Sequence, residues 1–217
     1  MSSSTSARER LVGAAQDLFA AQGVGPTSPR AVLAASGVGQ GSLYHHFPTK
    51  HDLAVTAVGA TVDDALTRAM RTLGGDSPAV ERLVAYLERP RDALAGCKIG
   101  RLTADQAVMD DDGLHDVVTA YFVRLLGAVT QIFRETGLPG DVARDRAHAA
   151  LAIIQGGYVL ARATRDPGAL DAAVRGFVGL LTQDRPPQDR PPQDRPHQDR
   201  PPQDQPNPAS PTPKENS

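Results

Sequence analysis

Between residues 6 and 182, apolar side chains recur at the three- and four-residue spacing of helix faces, and no stretch alternates cleanly with period two. Ala, Leu, Arg and Glu abound where a strand would need Val, Ile and Thr in alternation. Glycine and proline punctuate the pattern at 23–26, 37–41, 48, 74–78, 90, 96–100, 137–140 and 166–168, with an acidic break at 110–113. The periodic runs between them predict helices over 6–22, 29–35, 40–46, 50–73, 78–94, 101–108, 114–136, 141–164 and 168–182. The fold class is all-α.

From Gln183 the chain changes character and repeats Gln-Asp-Arg-Pro-Pro with small variations before running out to Ser217. Prolines at this density remove amide donors, and no apolar side chains are available to bury. A flexible, partly polyproline-like tail over 183–217 is expected, and no function is assigned to it.

Hydrophobic residues make up 40% of the 217, enough for a substantial core. No run approaches eighteen consecutive apolar residues, and the Ser-rich start lacks the apolar centre of a signal peptide, so a cytoplasmic protein without a membrane span is expected. Cys97 is the single cysteine, which excludes an intramolecular disulfide and a multi-cysteine metal site. No paired carboxylates, metal-ligand cluster or nucleophile with a base stands out. Neither an enzyme nor a cofactor or metal site is therefore expected, and Asp110–Asp112 reads as a helix-start feature.

The net charge of −2 carries no electrostatic footprint of a nucleic-acid partner. Residues 1–55 hold Arg8, Arg10, Arg30 and Lys50 against Glu9, Asp17 and Asp52, together with His45, His46 and His51. Any claim of DNA binding must rest on local pattern.

That pattern lies at 27–53. The stripe Leu11, Ala14, Ala15, Leu18 and Phe19 marks a first helix packed on one side, ended by Gly23. Ser28 stands as a cap before Pro29, a favoured N-cap and first-turn pair. Ser36-Gly37-Val38-Gly39 makes a tight turn whose Val38 can plug the space between helices. In the following Gln40-Gly41-Ser42-Leu43-Tyr44-His45-His46-Phe47, Leu43 and Phe47 share one face, leaving Gln40, Gly41, Ser42, Tyr44 and His45 largely outward. Two short helices about a glycine turn form a helix-turn-helix, whose second helix enters the major groove by its N-terminal end. Gly41 permits close backbone approach, and Gln40 and Ser42 can bond base edges. Tyr44, His46 and Lys50 can donate to phosphates.

The stretch TSPRAVLAASGVGQGSLYHHFPTKHDL resembles the DNA-binding head of the TetR family of regulators, over about residues 8–55. Three positions depart from the family's pattern. Gly39 stands for a capping Ser, Gln40 for Lys, and Leu33 for a smaller residue. The first weakens the cap of the recognition helix, and the second removes a common phosphate or base contact.

The resemblance implies a DNA-binding domain over 1–50 and a ligand-binding and dimerisation domain over 51–182. It also implies double-stranded operator DNA and a small-molecule effector as partners. Gly96-Cys97-Lys98-Ile99-Gly100 resembles the Gly-Cys-x-x-Gly element of one subgroup, whose regulators respond to drug-like or plant-phenolic aromatics. Tyr86, Cys97, Leu102, Met109, Tyr121, Phe122, Leu125, Gln155 and Tyr158 are the candidate effector-binding residues, with Met109 as a deformable wall and Gln155 as a polar anchor. For residues of these types ordinary core packing is the commoner role. A redox role for Cys97 would need a lowered pKa, for which only adjacent Lys98 speaks.

Helices 141–164 and 168–182 are too apolar to face solvent, and Gly156-Gly157 inside the first implies close approach of another helix. A homodimer through these helices is expected. The function implied is a repressor released from its operator by a small, largely apolar or aromatic effector. Two other classes stay open: an enzyme, and a ligand-binding scaffold whose head no longer binds DNA.

Overall fold

The computed structural model describes residues 6–183; the tail expected over 183–217 lies, from Asp184 onward, outside the described residues. Those residues form nine α-helices, one short 3-10 turn and no strand. The helices are α1 (Ala7–Gln22), α2 (Pro29–Ser36), α3 (Gln40–His46), α4 (Lys50–Leu73) and α5 (Ala79–Glu88), followed by α6 (Gln106–Met109), α7 (Asp112–Glu135), α8 (Gly140–Thr164) and α9 (Gly168–Gln183); the 3-10 turn, Gly100–Ala104, precedes α6.

Helix starts are fixed by local chemistry. Ser6 and Glu9 form a reciprocal capping box at α1, with the Ser6 amide donating to Glu9 Oε2 at 2.7 Å and the Glu9 amide to Ser6 Oγ at 3.2 Å. Thr49 and Asp52 do the same at α4. Ser28 accepts from the Ala31 amide at 3.2 Å and caps α2. Asp111 accepts from the Leu114 amide at 2.9 Å, so the acidic run does open a helix, and α7 begins two residues before the expected 114.

Two expected helices are altered. The run 78–94 stops at Glu88 because Arg89 precedes Pro90 and takes an extended conformation, φ −54° and ψ 142°. The run 101–108 is not one helix. Asp105 leaves helical geometry at φ −92°, ψ 107°, and its side chain caps the single turn of α6.

Burial follows the periodicity. α7 buries Leu114, Val118, Tyr121, Leu125, Val129 and Ile132 at steps of three and four residues, between α4 and α8. α4 answers with Leu53, Ala57, Val58, Val62, Leu66, Ala69 and Leu73. Each fully buried leucine contributes about 1.5–3 kcal/mol over exposure. Among the described residues α7 is the one helix long and apolar enough, by length and composition, to cross a bilayer; Arg124 interrupts it, and one face forms the domain's core. α8 packs on α7 and α9, and α1 on α2 and α4.

Candidate nucleic-acid interface and effector cavities

The turn between α2 and α3 needs glycine at one point. Gly37 sits in the left-handed region at φ 62°, ψ 23°, and its amide closes α2 by donating to the Leu33 carbonyl at 3.0 Å. Val38 is buried behind it as the expected plug, and its amide donates to Ser36 Oγ at 3.3 Å. Gly39 then begins α3 without any side-chain cap. Leu43 and Phe47 are each 3% exposed and clamp α3 to the head. The opposite side presents Gln40, Gly41, Tyr44 and His45 to solvent, with Ser42 and His46 half-buried at its margins. Tyr44 is 47% exposed, and a β-carbon at Gly41 would meet nothing within 4 Å. Ser28 is exposed at the start of α2, while neighbouring Thr27 is buried and donates its hydroxyl to the Gly23 carbonyl at 2.6 Å.

Lys50 has a second job beside the phosphate contact expected of it. Its ammonium donates to the Gly25 carbonyl at 3.0 Å, tying the start of α4 to the α1–α2 turn. Arg8, counted in the sequence only as charge, lays its guanidinium 5.4 Å from the centre of the Phe47 ring.

The segment 101–105 is fastened to the same turn. Asp105 Oδ2 accepts from the amides of Val24 at 2.6 Å and Gly25 at 3.1 Å. The Arg101 guanidinium donates to the carbonyls of Ala20 and, at 3.0 Å, Ala21 at the end of α1. Those carbonyls lack intrahelical partners, so a cation there is favoured. Gly23, at φ 93°, leaves room for the Asp105 carboxylate, which a β-carbon would strike. Sequence reading missed both residues. Asp105 carried one signal, a capping aspartate before a short helical run, but its long-range partners had none.

A cavity of about 630 Å³ lies against this fastening. Its walls include Phe19, Gly23 and Pro26 from the head, Arg101, Leu102 and Asp105, and Gln155, Tyr158 and Arg162 from α8. A second cavity, about 440 Å³, lies between α4, the loop after α5, and Tyr121 and Tyr158. Gly96, Cys97 and Tyr158 line both, so the Gly-Cys-x-x-Gly element is their partition. Its glycines have steric reasons. Gly96 adopts φ 83°, and a β-carbon at Gly100 would run into the Gln155 carboxamide. Cys97 Sγ accepts from the Gly100 amide at 3.2 Å, a local loop bond.

Of the expected effector-binding residues, Leu102 and Gln155 line the larger cavity, Tyr121 the smaller, and Cys97 and Tyr158 both. Tyr86 and Leu125 are buried in the core and line neither. Phe122 packs edge-on against Tyr121, centroids 5.0 Å apart, also outside both. Met109 is 37% exposed, because Val108 takes the one inward position of the four-residue α6. Burial raises the pKa of Tyr86, Tyr121 and Tyr158, so all three hydroxyls stay protonated donors at neutral pH.

Gly156 and Gly157 part company. A β-carbon at Gly157 would lie 3.1 Å from Leu170 Cα, so the close approach is to α9 of the same chain. At Gly156 nothing lies within 4 Å, and Val159 and Leu160 beyond it are 66% and 52% exposed. On α9, Leu180 is 62% exposed.

Residues 11–57 match the family described as bacterial regulatory proteins, tetR family, and residues 79–175 match the C-terminal domain described as transcriptional regulator LmrA/YxaF-like. The chain is 30% identical over 190 residues to the uncharacterised HTH-type transcriptional regulator Rv0196 of Mycobacterium tuberculosis, covering 82% of this chain and 96% of that protein. It is 38% identical over 96 residues to the HTH-type transcriptional repressor Rv3405c of the same species, covering 42% and 49%. A TetR transcriptional regulator of Chloroflexus aurantiacus superposes with a TM-score of 0.70 at 28% identity, covering 82% of this chain and 94% of that one. With a recognition helix clamped by Leu43 and Phe47 and a helical C-terminal domain behind it, the chain belongs to the TetR family of DNA-binding transcriptional regulators.

Proposed function

We propose that this protein is a homodimeric repressor that leaves its operator when a small, largely apolar or aromatic effector occupies the cavity at the head. One observation carries the reading. Arg101 and Asp105, which hold the end of α1 and the α1–α2 turn, are themselves walls of the 630 Å³ cavity. A volume of this size suits a drug-sized molecule. A ligand packed there cannot avoid the groups that position the head.

In this reading 1–50 reads DNA, while 51–182 senses the effector and dimerises, in the cytoplasm. Gln40 and Ser42 address base edges and Gly41 lets the backbone approach them. Tyr44, His45 and His46 face the sugar-phosphate backbone, and Lys50 joins them while holding Gly25. Ser28 caps α2 where that helix crosses the duplex. A two-fold dimer must set its recognition helices about 34–36 Å apart to enter successive major grooves. Val159, Leu160 and Leu180, with bare Gly156, supply apolar surface on α8 and α9 for that dimer. An effector that prefers a displaced head weakens operator binding by its difference in affinity for the two states, and by no more. The relative named a transcriptional repressor favours repression over activation.

The test is a gel shift on the intergenic DNA upstream of the protein's own coding sequence. The parent should retard it, and a folded, dimeric Tyr44→Ala protein should bind at least about tenfold more weakly, a loss of about 1.4 kcal/mol. Equal binding by both proteins, or none by the parent, refutes the DNA-reading face assigned to α3.

A further inference from the structure

The smaller cavity differs from the larger in charge. Arg68 and Arg71 reach it from α4, Arg89, Arg91 and Lys98 from the loop after α5, and Asp92 is its one acidic residue. Asp92 is engaged locally, its Oδ1 accepting from the Ala95 amide at 2.9 Å. Among the described residues none of the five cations has a carboxylate within ion-pair distance.

Two of these cations are held in place. Arg91 donates to the carbonyls of Tyr86 at 2.7 Å, Leu87 at 2.6 Å and Arg89 at 2.9 Å, capping α5. Carbonyl dipoles satisfy its hydrogens but do not cancel its charge. The Arg89 guanidinium lies 4.7 Å from the centre of the Tyr86 ring, and that of Arg91 lies 5.5 Å from it. Two guanidiniums therefore share one buried tyrosine, where they repel each other; burial and then Arg89 lower the pKa of Arg91. Arginine stays charged through such shifts, so an anion placed between the two would be favoured. Arg68, Arg71 and Lys98 are exposed at the rim of this cavity, whereas Arg89 and Arg91 are half-buried and pinned beside one another at Tyr86. The tyrosines complete the walls with aromatic faces and protonated hydroxyls.

We infer that the cavity bounded by Arg68, Arg71, Arg89, Arg91, Lys98, Tyr121 and Tyr158 binds an aromatic anion, its carboxylate or phenolate among the guanidiniums and its ring against the tyrosines. The inference rests on the effector-sensing role proposed above for this domain and adds an anion-binding site in the cavity beside the one that touches the head. A guanidinium fork matches a planar carboxylate in two parallel hydrogen bonds, and such pairs strengthen out of bulk water. The shared partition of Gly96, Cys97 and Tyr158 puts this anion one wall away from the cavity that touches the head.

The experiment compares 2-naphthoate with its neutral analogue 2-naphthamide by titration calorimetry on the full chain at low salt. The parent should bind naphthoate at least about tenfold more tightly than naphthamide. Arg68→Gln and Arg89→Gln should each erase most of that preference. Arg30→Gln, removing an exposed cation of α2 that lines neither cavity, should leave it intact. Arg91 is spared because it caps α5. Equal affinity for the two probes, no binding of naphthoate up to about 1 mM, or a preference that survives both arginine substitutions overturns the inference. None of these readouts involves DNA, so a failed gel shift with a preserved naphthoate preference would strike the operator reading alone.

Discussion

The Asp105 carboxylate holds the Val24 amide at 2.6 Å, across 81 residues of sequence, and thereby fastens a wall of the larger cavity to the helix-turn-helix head. The same oxygen reaches the next amide, Gly25, whose carbonyl in turn receives the Lys50 ammonium. One turn of backbone is thus gripped by a carboxylate from the segment before α6 and by an ammonium from the start of α4.

Removing the anion should loosen the turn. Asp105→Ala deletes two charge-assisted bonds to the head and the cap of α6, and should lower unfolding free energy by about 1–3 kcal/mol. Urea titration gives the loss, and hydrogen exchange at Val24 and Gly25 locates it. Unchanged protection of these amides would show that the turn is held by something else.

The recognition helix should accept a better start. Gly39 has φ −73°, ψ 151°, which serine adopts readily, and a β-carbon there meets nothing within 4 Å. Gly39→Ser should stabilise the protein by about 0.5–1 kcal/mol through a new cap and a less mobile unfolded chain. A denaturant midpoint that stays put or falls would contradict the open space seen around that residue.

The adjacent glycines of α8 should respond in opposite ways. Gly157→Ala forces apart α8 and α9 at Leu170 and should cost about 1–3 kcal/mol. Gly156→Ala, facing open space, should gain up to about 1 kcal/mol of helix propensity. Gly156→Arg should leave the subunit folded but shift it toward monomer in sedimentation, if α8 forms the dimer face. A Gly156→Arg protein that stays dimeric moves that interface elsewhere.

Acid should act through Asp111. Its pKa is lowered from 3.8, first by the Leu114 amide and then by His51, whose Nε2 lies 3.1 Å away. A depressed native pKa contributes stability present above the unfolded value and lost as pH falls through the native one. Stability should therefore decline below about pH 4, and an Asp111→Asn protein should show a shallower decline there. Parallel urea midpoints from about pH 6 down to about pH 3 measure the difference. Identical slopes would remove Asp111 from the acid response.

Local chemistry was legible because each signal acts within one or two turns. The caps at Ser28 and Asp111, the clamp by Leu43 and Phe47, and the outward face of Tyr44 all follow from spacing of three or four residues. The candidate effector-binding residues were harder. Tyr121 and Leu125 share a stripe on α7, yet Tyr121 lines a cavity and Leu125 is packed core. Periodicity says that both point inward; only the neighbouring helices decide whether space is left there. Met109 failed on a finer point, since a single helical turn has one inward position and Val108 holds it.

By itself, then, the order of residues determined an all-helical chain with a helix-turn-helix head, since hydrogen bonds and side-chain rows within a helix connect near neighbours. Tertiary structure alone decided that Asp105 grips Val24, that Gly157 serves its own α9 while Gly156 stays open, and that five cations gather around one cavity. Such pairings join residues tens of positions apart, and nothing in a local pattern encodes which distant surface will arrive beside it.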